Sequence, residues 1–172
     1  MQTPSAWVER WSAQVPPGGR VLDVACGHGR HARYFAVRGY PVEAVDRDAQ
    51  LLAGLKGVSG VSTRCADLEG GPWPYAGWSF AGIVVTNYLY RPLFPYLLSA
   101  LAADGVFIYE TFAAGNERYG RPANPNFLLE PGELLDVTRA KLRILAYEDV
   151  FVAEPKPAMV QRICAINAGQ NN

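Results

Sequence analysis

The stretch Arg20-Val21-Leu22-Asp23-Val24-Ala25-Cys26-Gly27-His28-Gly29-Arg30-His31-Ala32-Arg33-Tyr34-Phe35-Ala36 decides how the chain is read. It opens as a short apolar run rich in β-branched residues, the mark of a strand. Gly27 and Gly29 then turn the chain. Ala32, Phe35 and Ala36 recur at helical spacing until Gly39 stops the helix, which is read over about residues 29–38. A strand, a glycine turn and a helix bring backbone close to a ligand and aim the helix's free N–H groups at it.

Working outward, the same alternation repeats. Residues 4–14 read as a short amphipathic helix with Trp7, Val8 and Trp11 on one face, ended by Pro16-Pro17-Gly18-Gly19. Pro41–Asp46 and Val61–Cys65 read as strands flanking a helix over Asp48–Leu55. The loop Asp67–Tyr75 is too rich in Gly and Pro for a regular helix. Phe80–Thr86 and Val106–Thr111 are near-continuous apolar runs, expected as strands buried on both faces, with a helix over Leu93–Ala103 between them. A polar insertion rich in Gly, Pro and Asn runs from Ala113 to Phe127. A helix over Pro131–Arg139 and strands over Leu142–Phe151 and Met159–Asn167 follow, and Gln170-Asn171-Asn172 is expected to be disordered.

Strands alternating with helices predict an α/β fold, a Rossmann-like three-layer sandwich around a seven-stranded, mainly parallel sheet. The finish departs from the pattern. Only Val152–Ala158 joins the last two strands, too little for a parallel crossover, so they should form an antiparallel hairpin.

The 172 residues suit one domain, expected to span 1–172. Sixteen basic residues balance sixteen acidic ones, which leaves no electrostatic footprint for nucleic acid or an anionic membrane. No apolar run approaches the roughly 20 residues of a membrane span, and the first residues do not read as a signal peptide. Cys26, Cys65 and Cys164 are expected as buried free thiols in a reducing cytoplasm. No Cys/His spacing suggests a zinc site, and no metal is expected.

In open α/β sheets ligands sit beyond the carboxyl ends of the strands. Those ends are Cys26–Gly29, Asp46, Ala66–Asp67, Asn87–Tyr90 and Glu110–Phe112. Asp46 is placed to take both hydroxyls of a ribose, and Asp67 to accept from an adenine amino group. Gly27-His28-Gly29-Arg30-His31-Ala32 also satisfies the dinucleotide fingerprint G-x-G-x-x-G/A. Against a dinucleotide stand three features. Asp23 beside the turn suits an ammonium and would repel a pyrophosphate, Asp67 has no clear dinucleotide counterpart, and the antiparallel finish leaves no substrate domain. An adenosine without a phosphate fits better.

Val21-Leu22-Asp23-Val24-Ala25-Cys26-Gly27-His28-Gly29 resembles the first motif of class I S-adenosylmethionine-dependent methyltransferases, D/E-x-G-x-G-x-G, with Ala25 in place of the first glycine, a variation expected to cost little. Val42–Asp46 resembles the acidic second motif, Cys65-Ala66-Asp67-Leu68 the adenine-contacting third, and Asp104-Gly105-Val106-Phe107 the turn into the fifth strand. The likeness covers nearly the whole chain. Gly27-x-Gly29-Arg30 with Tyr34, and Phe127-Leu128-Leu129-x-Pro131-Gly132-Glu133-Leu134, look like small bacterial methyltransferases of the tellurite-resistance type.

The resemblance implies S-adenosyl-L-methionine as methyl donor, leaving as S-adenosyl-L-homocysteine. It would be held by Asp23 on its ammonium, by the turn Ala25, Cys26, Gly27 and Gly29, by Asp46 on its ribose, and by Arg47, Ala66, Asp67, Leu68 and Asn87 around its adenosine and sulfur. Catalytic or acceptor-lining roles fall to Asn87, Tyr88, Tyr90 and Glu110, with Arg91 and Thr111 as neighbours. Asn87 resembles the Asn of the Asn-Pro-Pro-Tyr motif of amino-group methyltransferases, but no Pro-Pro follows, which speaks against an adenine-N6 or glutamine acceptor. His28 and His31 are candidate bases, with structural roles the simpler reading. Residues 113–127 are the expected lid.

A short third-to-fourth strand connection and no long N-terminal extension leave little protein for a macromolecule. The expected function is in-line methyl transfer to a small molecule. A non-catalytic module that binds the donor, or an enzyme acting on a protein or RNA, are the alternatives.

Overall fold

The computed structural model describes residues 2–169; the expected disorder of 170–172 lies outside them. Seven strands form one sheet in the order β3-β2-β1-β4-β5-β7-β6. They are β1 (Val21–Val24), β2 (Val42–Asp46), β3 (Val61–Cys65), β4 (Phe80–Thr86), β5 (Leu101–Phe112), β6 (Arg143–Val152) and β7 (Ala158–Ile166). The first five pair in parallel, with Val24 between Val45 and Val85. β7 runs antiparallel to both β5 and β6, as the short connection requires. The β-branched runs fill the middle of the sheet: every residue of β1 is buried.

Helices cover both faces. α1 (Ala6–Trp11), α2 (Arg30–Ala36) and α3 (Ala49–Ala53) cover one side, where Trp7, Phe35, Leu52 and Leu55 pack together. α4 (Phe94–Ser99) and α5 (Glu133–Thr138) pack Phe94, Leu97 and Leu134 on the other. The three layers expected from the alternation are present.

Helix ends differ from the sequence reading. α1 starts after Ser5, whose hydroxyl accepts from Trp7 N–H, and its last turn tightens to a 3₁₀ turn over Ser12–Gln14. Asp48 caps α3 by accepting from the N–H groups of Gln50 and Leu51. The helix expected over Leu93–Ala103 is a 3₁₀ turn, Arg91–Leu93, followed by α4. Leu101 already pairs with Phe80, so β5 begins earlier than its apolar run suggests. The strand bends at Asp104, φ +60°, and at Gly105, where a Cβ would lie 2.9 Å from the Phe80 carbonyl oxygen. That close approach is the reason for the glycine.

Cys26 and Cys164 are buried free thiols, but Cys65 is exposed. It lies on β3, an edge strand with little cover, which corrects the expectation of three buried thiols. Among the described residues no helix is long and apolar enough to cross a membrane, and no cluster of His, Cys, Asp and Glu could hold a metal.

Candidate functional site

The order of the strands reverses between β1 and β4, and the crevice at their carboxyl ends is where an open α/β sheet takes a ligand. Two non-glycine residues in the left-handed region sit there: Ala25 (φ +51°) after β1 and Asn87 (φ +54°) after β4. Backbone held in a costly conformation concentrates at functional sites. Both residues line a cavity of about 310 Å³. The end of β2 contributes Asp46 and Arg47 to its wall, and the end of β3 contributes Ala66, Asp67, Leu68 and Glu69. Tyr88 completes the wall next to Asn87.

The carboxylates are held by backbone. Asp46 accepts from Gly27 N–H at 2.8 Å through one oxygen and from Asp48 N–H at 2.9 Å through the other. Each oxygen keeps a lone pair for a hydroxyl. Helix capping here belongs to Asp48, so Asp46 is free to face the cavity. Asp67 makes an Asx turn to Glu69 N–H at 2.9 Å, and the Glu69 and Gly70 N–H groups hold its carboxyl below the usual range. It lines the cavity as well, so the turn and a ligand role are compatible.

A clasp spans the loops after β3 and β4: Tyr88 donates to a Glu69 carboxylate oxygen at 3.2 Å and Tyr90 to the Glu69 carbonyl at 3.1 Å. Burial, then the Glu69 charge, push the Tyr88 hydroxyl well above the usual tyrosine range. Sequence reasoning misses Glu69, whose only signal is its place two residues after Asp67.

The glycine turn supports this wall from behind. Gly27 offers its N–H to Asp46, and a Cβ there would meet open space. At Gly29, φ +73°, a Cβ would meet Leu55 at 2.5 Å, so that glycine serves helix packing. Cys26 turns into the core on the α1–α3 face. Asp23 lies behind the turn rather than on the cavity wall. It is 2% exposed and accepts from Ala32 N–H at 2.9 Å. Burial is the largest influence on its carboxyl and, against that N–H, raises it to about 7.

A second cavity, about 440 Å³, adjoins the first and shares Asn87 with it. Glu110, from the end of β5, lies on its wall. Arg162 donates to one Glu110 oxygen at 3.0 Å and the Ser5 hydroxyl to the other at 2.7 Å. Arg162 also pairs with Glu148. Much of the remaining wall is apolar: Pro4, Ala6, Phe112, Val152, Ala158 and Val160. The N-terminal segment is tied down as a strap over this cavity. Ser5 N–H donates to His31 Nε2 at 3.0 Å and Arg30 donates to the Thr3 carbonyl at 3.3 Å. His31 is buried, and burial first, then the Arg30 charge, hold its imidazole down to about 3. It is an acceptor in the structure and no base.

Several expected residues stand elsewhere. Tyr88 is on the first cavity; Tyr90 and Arg91 line neither. Arg91 pairs with Glu133 at 2.6 Å and donates to the Asn126 and Leu128 carbonyls. Thr111 is buried and lines neither cavity. His28 is exposed, at a shallow surface pocket beside Arg30 and Arg33. Residues 113–127 line neither cavity: Asn116 is buried and accepts from Met159 N–H, while Tyr119 packs on Phe151. The cover over the second cavity comes from residues 3–6 and the β6–β7 hairpin. A polar, Gly/Pro-rich composition marks an irregular segment without saying where it packs.

Residues 6–66 match the family model of the tellurite resistance protein TehB. TehB from Haemophilus influenzae superposes with a TM-score of 0.75 at 19% identity, over 94% of this chain and 61% of that one. This chain therefore spans less than two thirds of that relative's length. An S-adenosylmethionine-dependent methyltransferase from Mesorhizobium loti superposes with a TM-score of 0.72 at 18% identity, over 94% and 98% of the two chains. The fold is that of S-adenosylmethionine-dependent methyltransferases. The glycopeptide N-methyltransferase MtfA, crystallised with S-adenosylhomocysteine, shares it at a TM-score of 0.65 and 16% identity, over 94% and 88% of the chains. No curated protein matches in sequence. The seven-stranded sheet with its antiparallel finish and the TehB-like first third both agree with the class I methyltransferase resemblance read from the motifs.

Proposed function

We propose that the chain is an S-adenosylmethionine-dependent methyltransferase that methylates a small molecule. The observation that carries this reading is the pair of adjoining cavities at the β1–β4 crevice, one edged by Asp46 and Asp67 and the other largely apolar, with Asn87 on the wall of both. The first fits an adenosine. Asp46 takes the ribose hydroxyls, Asp67 the adenine amino group, and Ala66 and Leu68 pack beside the base. Arg47 and Tyr88 flank it, and the Asp46–Gly27 bond fixes the turn at the sulfur-bearing end.

Asp23 takes its part through the turn. It anchors the start of α2 and lies buried behind the turn, so it reaches the donor's ammonium through water and the turn's backbone rather than directly. Cys26 and Gly29 contribute backbone. Bound there, S-adenosylmethionine supplies an electrophilic methyl on a cationic sulfur, which leaves as a neutral thioether. The chain's residues then position more than they activate.

The second cavity has the size of a small-molecule site, which supports a small acceptor over a protein or RNA. Unpaired thiols at Cys26 and Cys164 suit a reducing compartment such as the cytoplasm.

Calorimetry with S-adenosylhomocysteine tests the donor site. Asp46→Ala should abolish binding in a protein that still unfolds cooperatively. Unchanged affinity sinks the assignment. Donor binding without turnover over a broad acceptor set would make the chain a binding module instead.

A further inference from the structure

We infer that the acceptor taken by the second cavity is a small amine with an apolar body, its nitrogen held by Glu110. This rests on the methyltransferase reading and deepens it.

The wall of the cavity decides the chemistry. Glu110 stands on it with Asn87, which also borders the donor cavity. The two are joined directly: Asn87 N–H donates to the Glu110 carbonyl at 2.9 Å. That bond fixes the end of β4 against the end of β5. Arg162 and Ser5 each hold one Glu110 carboxylate oxygen, which leaves further lone pairs for a ligand N–H. Arg162 is itself balanced by Glu148. Arg30, Glu154 and Lys156 also line the cavity, and Glu110 is the charged residue there that a hydrogen bond ties to Asn87.

A carboxylate at this place sorts acceptors by charge and by acidity. An anion, such as a carboxylate or an oxyanion, would be repelled by Glu110 as it neared the methyl group. A hydroxyl needs its proton removed, and a carboxylate is too weak a base for that. An alkylamine is mostly ammonium near neutral pH and first gives that proton to solvent; the neutral nitrogen then needs no further activation. It gives its lone pair to the methyl carbon, and the carbon–sulfur bond breaks with its electron pair left on sulfur. The positive charge moves from sulfur to nitrogen, and therefore toward Glu110, whose carboxylate stabilises it. The new N-methylammonium loses its extra proton to solvent on release. Pro4, Ala6, Phe112, Val152, Ala158 and Val160 give the body of the amine an apolar wall.

The test uses the whole chain and four probes: phenethylamine, 2-phenylethanol, 3-phenylpropionate and selenite. Binding is read by calorimetry in the presence of S-adenosylhomocysteine, and products by mass spectrometry with the live donor. The expected result is that phenethylamine alone binds and yields its N-methyl product. Glu110→Gln should weaken that binding at least about tenfold, as expected for loss of one hydrogen bond to a charged group. Ala6→Trp adds bulk at an exposed position on the cavity wall and keeps Glu110, and should block the amine while leaving S-adenosylhomocysteine affinity unchanged. It decides the matter if Glu110→Gln fails to fold.

Amine binding indifferent to both variants, preference for 3-phenylpropionate or selenite, methylation of 2-phenylethanol, or no amine binding at all overturns the inference. Its failure differs from failure of the methyltransferase reading, in which S-adenosylhomocysteine itself does not bind.

Discussion

At the scale of single residues, Ala25 is the clearest point where motif and backbone disagree. As a substitution for a motif glycine it reads as harmless, yet it stands at φ +51°, in the left-handed region. That conformation costs an alanine about 1–2 kcal/mol, against which glycine's larger unfolded-state entropy gives back about 0.5–1 kcal/mol. Ala25→Gly should therefore raise stability by about 0.5–1 kcal/mol in urea unfolding; a loss of stability would show that the strain is not there. The motif identifies the position, but a one-letter sequence carries no φ. Asn87 shows the same limit. Its place at the end of β4 is legible, whereas its left-handed backbone and its share in both cavities depend on how two strands end side by side.

At the scale of an element, β1 and α2 carry two buried titrating groups of opposite sign. Asp23 in β1 accepts from Ala32 N–H, and His31 in α2 accepts from Ser5 N–H. The folded-state pKa of Asp23, about 7, lies above its ordinary 3.8. Between those values the folded protein holds one proton more than the unfolded chain, so this contribution to stability is full below pH 3.8 and is lost as pH rises to 7. His31 moves the other way, from 6.5 to about 3. Its contribution is full above pH 6.5 and is lost as pH falls through that window. Each slope is about 1.4 kcal/mol per pH unit, so the two cancel between about pH 4 and 6.5.

Removing one should uncover the other. Relative to the parent, Asp23→Asn should make stability rise with pH over this window by about 1 kcal/mol per unit, and His31→Gln should make it fall by a similar amount. Urea unfolding at about pH 4.5, 5.5 and 6.5 reads this directly, and three parallel lines would refute it. The helix itself is legible from its apolar spacing. That both polar groups are buried is not, because it depends on the strap of residues 3–6, which crosses α2 from the far N-terminus.

At the scale of the whole molecule, the sheet and its antiparallel finish follow from patterning and from one short connection, because strand direction is limited by loop length. The wall of the first cavity is largely legible for the same reason: carboxyl ends of parallel strands gather in one place, and Asp46, Ala66, Asp67 and Asn87 can be put there before any packing is known. What covers the site is not legible, because covers are made by segments distant in sequence. The insertion at 113–127 is the lid that composition suggests, yet it is bound into the scaffold. Arg91 ties its end to the β4 loop through Glu133 and the Asn126 and Leu128 carbonyls.

Arg91→Ala separates the two roles. Its side chain is 38% exposed, so solvent screens part of the pair, and the loss of stability should be about 1–2 kcal/mol. Because Arg91 lines neither cavity, S-adenosylhomocysteine affinity should not change. An affinity loss as deep as that of Asp46→Ala, in a protein still folded, would mean that the insertion closes over the first cavity after all; a stability loss alone places it in the frame that holds β4 and α5 together, leaving the strap and the hairpin to cover the second cavity.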